Sequence, residues 1–224
     1  MDILKYFKSL VMGNSIKILY YNTQDMTFGH SYTDKLFEYD CDYYLLSRIS
    51  EKDYSKLDYH YSAYQQMYTG SRLGLAMYSK TEVPFGSGFS SQRTFEDEHQ
   101  SVGYCYFDIG SFKLFNVLSP YPTKRIELSE TLDYFKYIQK NFGKGSVMIG
   151  DLHGQWEEIN KAIGSNYKGH AKTGNFTKDN DSRRLTLSQV VSDIPMTVNE
   201  TVLEPPKEKT SDKHLPILFE ISMS

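Results

Sequence analysis

Asp151 and His153 stand two residues apart in the run SVMIGDLHG, residues 146–154. The apolar, β-type stretch Val147, Met148 and Ile149 stops at Gly150. A helix-like segment from Gln155 to Ile163 follows. Side chains two apart on a strand leave the same face. A carboxylate and an imidazole placed together at a strand's C-terminal edge can hold a metal ion or a phosphate.

The rest of the chain must supply a scaffold for that edge. Its 224 residues predict one main domain. Apolar residues make up 39% and aromatics 15%, with 19 Tyr and 13 Phe, enough for a packed core and against disorder. A net charge of −3 argues against a non-specific nucleic-acid coat and leaves room for a local basic groove. Cys41 and Cys105, each in a strand-like run, read as buried free thiols with no metal-type spacing. Residues 1–12 are too short and too polar for a signal peptide or a span, so the cytosol, of a cell or of an infected host, is the expected compartment.

Periodicity then divides the chain. Ile3, Leu4, Phe7 and Leu10 predict an N-terminal helix within 1–14, packed on a single domain of 15–224. Strands are expected over 15–22, 42–49, 73–79, 101–108, 111–117, 146–151, 185–191 and 215–221. Ile109-Gly110 marks a hairpin turn. Helices are expected over 33–39, 129–142 and 155–163. The clearest is 129–142, with Leu132, Phe135, Ile138 and Phe142 on one stripe and Gly143 and Gly145 beyond it. Residues 84–101, 164–184 and 204–213 read as polar loops, while 53–67 is Tyr-rich and ambiguous. Strand clusters broken by a few helices predict a layered α/β sandwich with mostly antiparallel sheets.

Residues 150–155 (GDLHGQ) resemble the first metal-binding motif of calcineurin-like metallophosphatases. That family places its other ligands downstream, in Gly-Asp-x-x-Asp-Arg-Gly and Gly-Asn-His elements and two later histidines. After Gly154 this chain holds only His170 and His214 and none of those motifs, so the likeness is local.

A second resemblance spans 15–222. The order of elements is similar to the endonuclease/exonuclease/phosphatase, or DNase I-like, superfamily. Residues 16–22 (IKILYYN) resemble its first strand, which ends in an Asn that contacts phosphate or metal. Residues 42–49 resemble the strand that normally ends in a metal-binding Glu, and 70–80 (GSRLGLAMYSK) the strand after it. Residues 111–120 (SFKLFNVLSP) resemble the strand that normally carries a catalytic His, 148–153 the Gly-Asp-x-Asn motif, and 212–217 (DKHLPI) the closing Ser-Asp-His-x-Pro motif. The resemblance implies an α/β (α+β), four-layer sandwich of two mostly antiparallel sheets flanked by helices.

It also implies a worn site. Asn22, Asp151 and His214 match the pattern, and with His153 they form the remnant of a catalytic set. The metal-binding Glu falls on Arg48, the strand His on Leu118, and the Asn after Asp151 on His153. In the closing motif either Lys213 replaces the Asp, or Lys213 is an insertion and Asp212 keeps that role. If the register of 42–49 slips, Glu51 could serve in place of Arg48. Hydrolysis in this family needs a divalent cation on the phosphorus oxygens and a His base. A guanidinium binds phosphate but cannot hold Mg²⁺, and Leu118 moves no proton.

The resemblance with these losses implies a degenerate member, without cofactor, that has lost metal-dependent phosphodiesterase activity. Such a chain would act as a binding, inhibitory or accessory protein, viral by its composition in Lys, Tyr and Asn. Its partner would be a protein or a nucleotide-like, phosphate-containing ligand held by Arg48 and Lys213. Tyr54, Tyr59, Tyr61, Tyr64 and Tyr68 could furnish an interface, or be half-buried sheet residues. The alternatives are an active Mg²⁺-dependent nuclease or phosphoesterase, with Asp151, Asp212 and Glu51 as metal ligands and His153 replacing the missing His, and a metal-independent phosphate-binding enzyme.

Overall fold

Along the first strand, Ile16, Ile18 and Tyr20 join one buried cluster while Leu19 and Tyr21 join another. A strand covered on both faces needs a layer on each side, and the chain supplies them. The computed structural model describes residues 15–23, 35–57, 61–95, 98–119, 128–152, 159–161, 168–169, 176–178, 184–186, 188–203 and 216–223. The expected helix in 1–14 and the loop 204–213 lie outside these residues.

In chain order the elements begin with β1 (Ile16–Asn22), β2 (Tyr43–Ser50), α1 (Glu51–Tyr54), β3 (Tyr61–Gln66) and β4 (Leu73–Ser79). Next come β5 (Phe85–Phe95), β6 (Glu98–Asp108), β7 (Lys113–Leu118), α2 (Leu128–Phe142) and β8 (Ser146–Asp151). The remaining strands are β9 (Lys168–Gly169), β10 (Phe176–Lys178), β11 (Arg184–Thr186), β12 (Ser188–Ser192), β13 (Met196–Val202) and β14 (Ile217–Met223). One six-stranded sheet has the order β13-β14-β1-β2-β4-β3 and the other β5-β6-β7-β8-β12-β9, with β10 and β11 forming a separate ribbon. Pairing is antiparallel except for β1 with β2 and β7 with β8. This is the expected sandwich of two mostly antiparallel sheets.

Three clusters fill the layers. Between the sheets lie Ile18, Leu45, Met77, Phe107, Leu114, Ile149 and Phe219. Outside the second sheet, Phe115, Val117 and Met148 pack against Phe135 and Ile138 of α2, the stripe the sequence predicts. Gly143, at φ 69°, ends that helix. Outside the first sheet, Tyr44, Leu46 and Tyr78 are covered by Leu36 and Phe37 of a helical turn at 35–37, and by Tyr54 of α1.

Several sequence expectations are corrected. Residues 84–101 are not a loop but most of a long hairpin, β5 and β6. Their Gly and Ser content conceals the strand because cross-strand rings cover the glycines: a Cβ on Gly86 would lie 2.6 Å from the Tyr106 ring, and one on Gly88 2.8 Å from the Tyr104 hydroxyl. The 164–184 region contains β9 and β10. The single strand expected over 185–191 is split between β11 and β12, in different sheets. β13 falls where the sequence predicts no strand; only Met196 and Val198 face the core, so its pattern is weak. The ambiguous 53–67 stretch holds the end of α1 and β3, and Tyr54, Tyr61, Tyr64 and Tyr68 are half-buried rather than displayed. The Tyr54 and Tyr64 rings pack 5.0 Å apart. Tyr59 lies outside the described residues.

Candidate functional site

The two parallel pairs bring four strand ends to one edge of the sandwich. Asn22, the last residue of β1, is registered with Ser47 of β2. Leu118, the last of β7, is registered with Asp151, the last of β8. The two pairs meet across the interface, where Asn22 Nδ2 donates to Asp151 Oδ2. Asp151 is fully buried and Asn22 is 3% exposed.

Alternation explains why these side chains face each other. Tyr20 and Asn22 share a face of β1, as do Ile149 and Asp151 on β8, and Tyr20 and Ile149 belong to the inter-sheet core. The end of β8 is pinned to β7: Ser119 N donates to Asp151 O at 3.0 Å, and Ser119 Oγ donates to Leu152 O. Gly150 permits the close approach, since a Cβ there would lie 1.7 Å from Val117 O.

Tyr20 lies directly beneath the pair. Burial, and after it the Asp151 charge, push its hydroxyl well above the ordinary phenol range, with Ser47 acting in the opposite sense. The phenol therefore stays protonated at any physiological pH.

β2 does not end as a regular strand. Its pairing with β4 slips between Ser47 and Ile49, and Arg48 takes a φ of 62°. This bulge inserts one residue and reverses the alternation beyond it. Tyr43 and Leu45 face the inter-sheet core, whereas Ile49 belongs to the outer cluster. Arg48 is half-buried. Thr23, the residue after Asn22, ties the bulge to β1: its N–H donates to Ser47 O at 2.9 Å and its hydroxyl to Arg48 O at 2.8 Å.

The expected site residues therefore divide. Asn22, Asp151, Arg48 and Leu118 stand at the convergent strand ends. Glu51 is exposed in the first turn of α1, whose N-cap is Ser50. Burial, and then the Glu51 charge, raise Tyr64 on the neighbouring outer face to about 12. His153, Asp212, Lys213 and His214 lie outside the described residues. β14 begins at Ile217, after Pro216, and Tyr20 is registered with Ile217.

Sequence reasoning missed Tyr20, Ser47, Thr23 and Asn116. Tyr20 was accessible in principle, because it precedes Asn22 by one strand period. Ser47 and Asn116 come to the edge through pairing alone, and no Gly marks the bulge.

Magnesium takes oxygen ligands and is usually anchored by carboxylates. At the described strand ends the one carboxylate is Asp151, which accepts from Asn22, while β2 contributes Arg48. Among the described residues no three of His, Cys, Asp and Glu converge. Among the described residues these donors alone do not complete a magnesium centre built on facing carboxylates.

The two-sheet sandwich has structural counterparts. No protein-family model and no curated protein matches the sequence. Solved structures do match. The D. rerio TDP2 structure complexed with a single-strand DNA product is 14% identical, covers 93% of this chain and 99% of that one, and superposes with a TM-score of 0.66. An endonuclease/exonuclease/phosphatase family protein from Bacteroides thetaiotaomicron is 13% identical over 95% of this chain and 99% of that one, with a TM-score of 0.63. A mannosyl-6-phosphatase of the same bacterium is 14% identical over 93% of this chain and 100% of that one, with a TM-score of 0.61. The chain has the endonuclease/exonuclease/phosphatase, DNase I-like fold.

Proposed function

We propose that this protein is a degenerate DNase I-like domain, without metal-dependent phosphodiesterase activity, that binds a phosphate-containing ligand at its convergent strand ends. In this reading it is an accessory or inhibitory protein of the cytoplasm, the host's if the chain is viral. Arg48 carries the proposal. It is a half-buried cation one residue beyond Ser47, the register partner of Asn22, at the position where the family resemblance expects a metal-binding Glu. Its backbone is held in a left-handed conformation that costs a non-glycine residue roughly 1 kcal/mol, and strain of this kind collects at functional positions. A guanidinium there can grip a phosphate through paired N–H donors, with Lys213 as a second cation.

Two of the structural neighbours support phosphate as the shared chemistry, one holding a DNA product and the other named for a sugar phosphate. Titration calorimetry with inorganic phosphate and a mononucleotide tests the proposal. Binding by the wild type that Arg48→Ala weakens about tenfold or more is the expected result. No binding, or binding indifferent to Arg48, overturns it. The buried Asn22–Asp151 pair favours a second reading, an active enzyme that completes its metal site with Asp212 and His214, and direct assay of hydrolysis separates the two.

A further inference from the structure

Asn116 lies on β7 between Leu114 and Leu118, both members of the inter-sheet core, and is itself fully buried. An apolar residue would fill that position at no polar cost. Its carboxamide instead crosses to the opposite sheet and is used at both ends. Nδ2 donates to Leu46 O and to Ala76 O, each at 2.9 Å, and Oδ1 accepts from Ser47 Oγ at 3.2 Å. Leu46 and Ala76 are register partners on β2 and β4, one pair before the slip that creates the Arg48 bulge. Buried carbonyls need donors, and here a side chain from the other sheet supplies them where the ladder becomes irregular.

We propose that Asn116 is a positioning residue that clamps the β2 bulge and so fixes Arg48 and Ser47 beside the Asn22–Asp151 pair. The inference rests on the reading of Arg48 as the phosphate contact, and it adds the element that sets that contact's geometry. In ordinary strand geometry residue 48 would leave the left-handed region. The positive φ of Arg48 is thus a local reporter of whether the clamp holds.

Two measurements on the full chain test it. The first is a thermal cycle. Glycine favours the conformation that Arg48 adopts, so Arg48→Gly should raise the melting temperature of the wild type. That gain should vanish in an Asn116→Leu background, where the strand is free to straighten. A purely structural Asn116 would leave the gain intact, and that result overturns the proposal. The second is calorimetric titration with inorganic phosphate, in which a folded Asn116→Leu should bind about tenfold more weakly. If Asn116→Leu does not fold, Asn116→Thr, which keeps one donor, takes its place in both measurements with smaller effects of the same sign. Unchanged phosphate affinity in a folded Asn116 variant, with Arg48→Ala still weakening binding, sinks this inference alone. Absence of any Arg48-dependent binding in the wild type sinks both this inference and the reading beneath it.

Discussion

Substituting Asn22 by leucine takes away the donor that faces a fully buried carboxylate. Asn22 and Asp151 are 3% and 0% exposed, so water does not replace the lost partner. A hydrogen bond to a charged group contributes about 1.5–3 kcal/mol, and replacing the amide by an apolar side chain leaves the buried carboxylate less well solvated. About 3 kcal/mol is therefore expected for Asn22→Leu, equivalent to a fall in Tm of about 6–12 °C for a chain of this length. Asp151→Leu removes the charge itself and leaves only a neutral amide facing the new side chain, for a smaller loss. With both replaced, neither polar group remains, and such double replacements can be nearly neutral. The two single losses should then sum to about 3 kcal/mol or more above the loss in the double. Urea denaturation followed by circular dichroism reads all four corners of the cycle. Additivity within about 0.5 kcal/mol would mean that the pair is not coupled, and the geometry argued for the site would be wrong.

Gly150→Ala should destabilise by about 3 kcal/mol or more, because its Cβ meets the Val117 carbonyl at 1.7 Å and both partners are backbone; chemical denaturation checks this. Asp53 is buried against Lys56 and Ser50. Burial alone would raise its pKa, but these two partners outweigh it and hold the carboxyl below its ordinary value. Its contribution is present above the unfolded carboxylate pKa and is lost as pH falls through the lower folded value. Wild type and Asp53→Asn should therefore differ in stability at pH 6 and converge below about pH 4, as melts across that range would show. Burial pushes the Cys41 thiol up to about 11 and that of Cys105 further, so both should resist alkylation at pH 8 and react once the chain is unfolded.

The parts of the fold legible in the sequence were those with strong periodicity. β4 matches the expected bounds, β1, β2, β8 and α2 fall within a residue or so of theirs, and their order carried the resemblance to the DNase I-like superfamily. β5 escaped because its glycines are completed by tyrosines of the next strand, a fact of pairing and not of local composition. β13 escaped because an edge strand shows few apolar residues. Asp151 and Asn22 were legible since each ends an apolar run. Tyr20 beneath them, and the Asn116 clamp across the sheets, were not, because each depends on which strand faces which. The bulge at Arg48 has no glycine or proline to announce it.

Under the proposed function the strand ends do not support metal-dependent hydrolysis. Incubating the protein with plasmid DNA, RNA and a chromogenic phosphodiester, in Mg²⁺, in Mn²⁺ and in EDTA, measures it most directly. No turnover above the buffer rate is expected under any of these conditions. Metal-dependent turnover that Asp151→Ala abolishes would contradict it and establish an active enzyme.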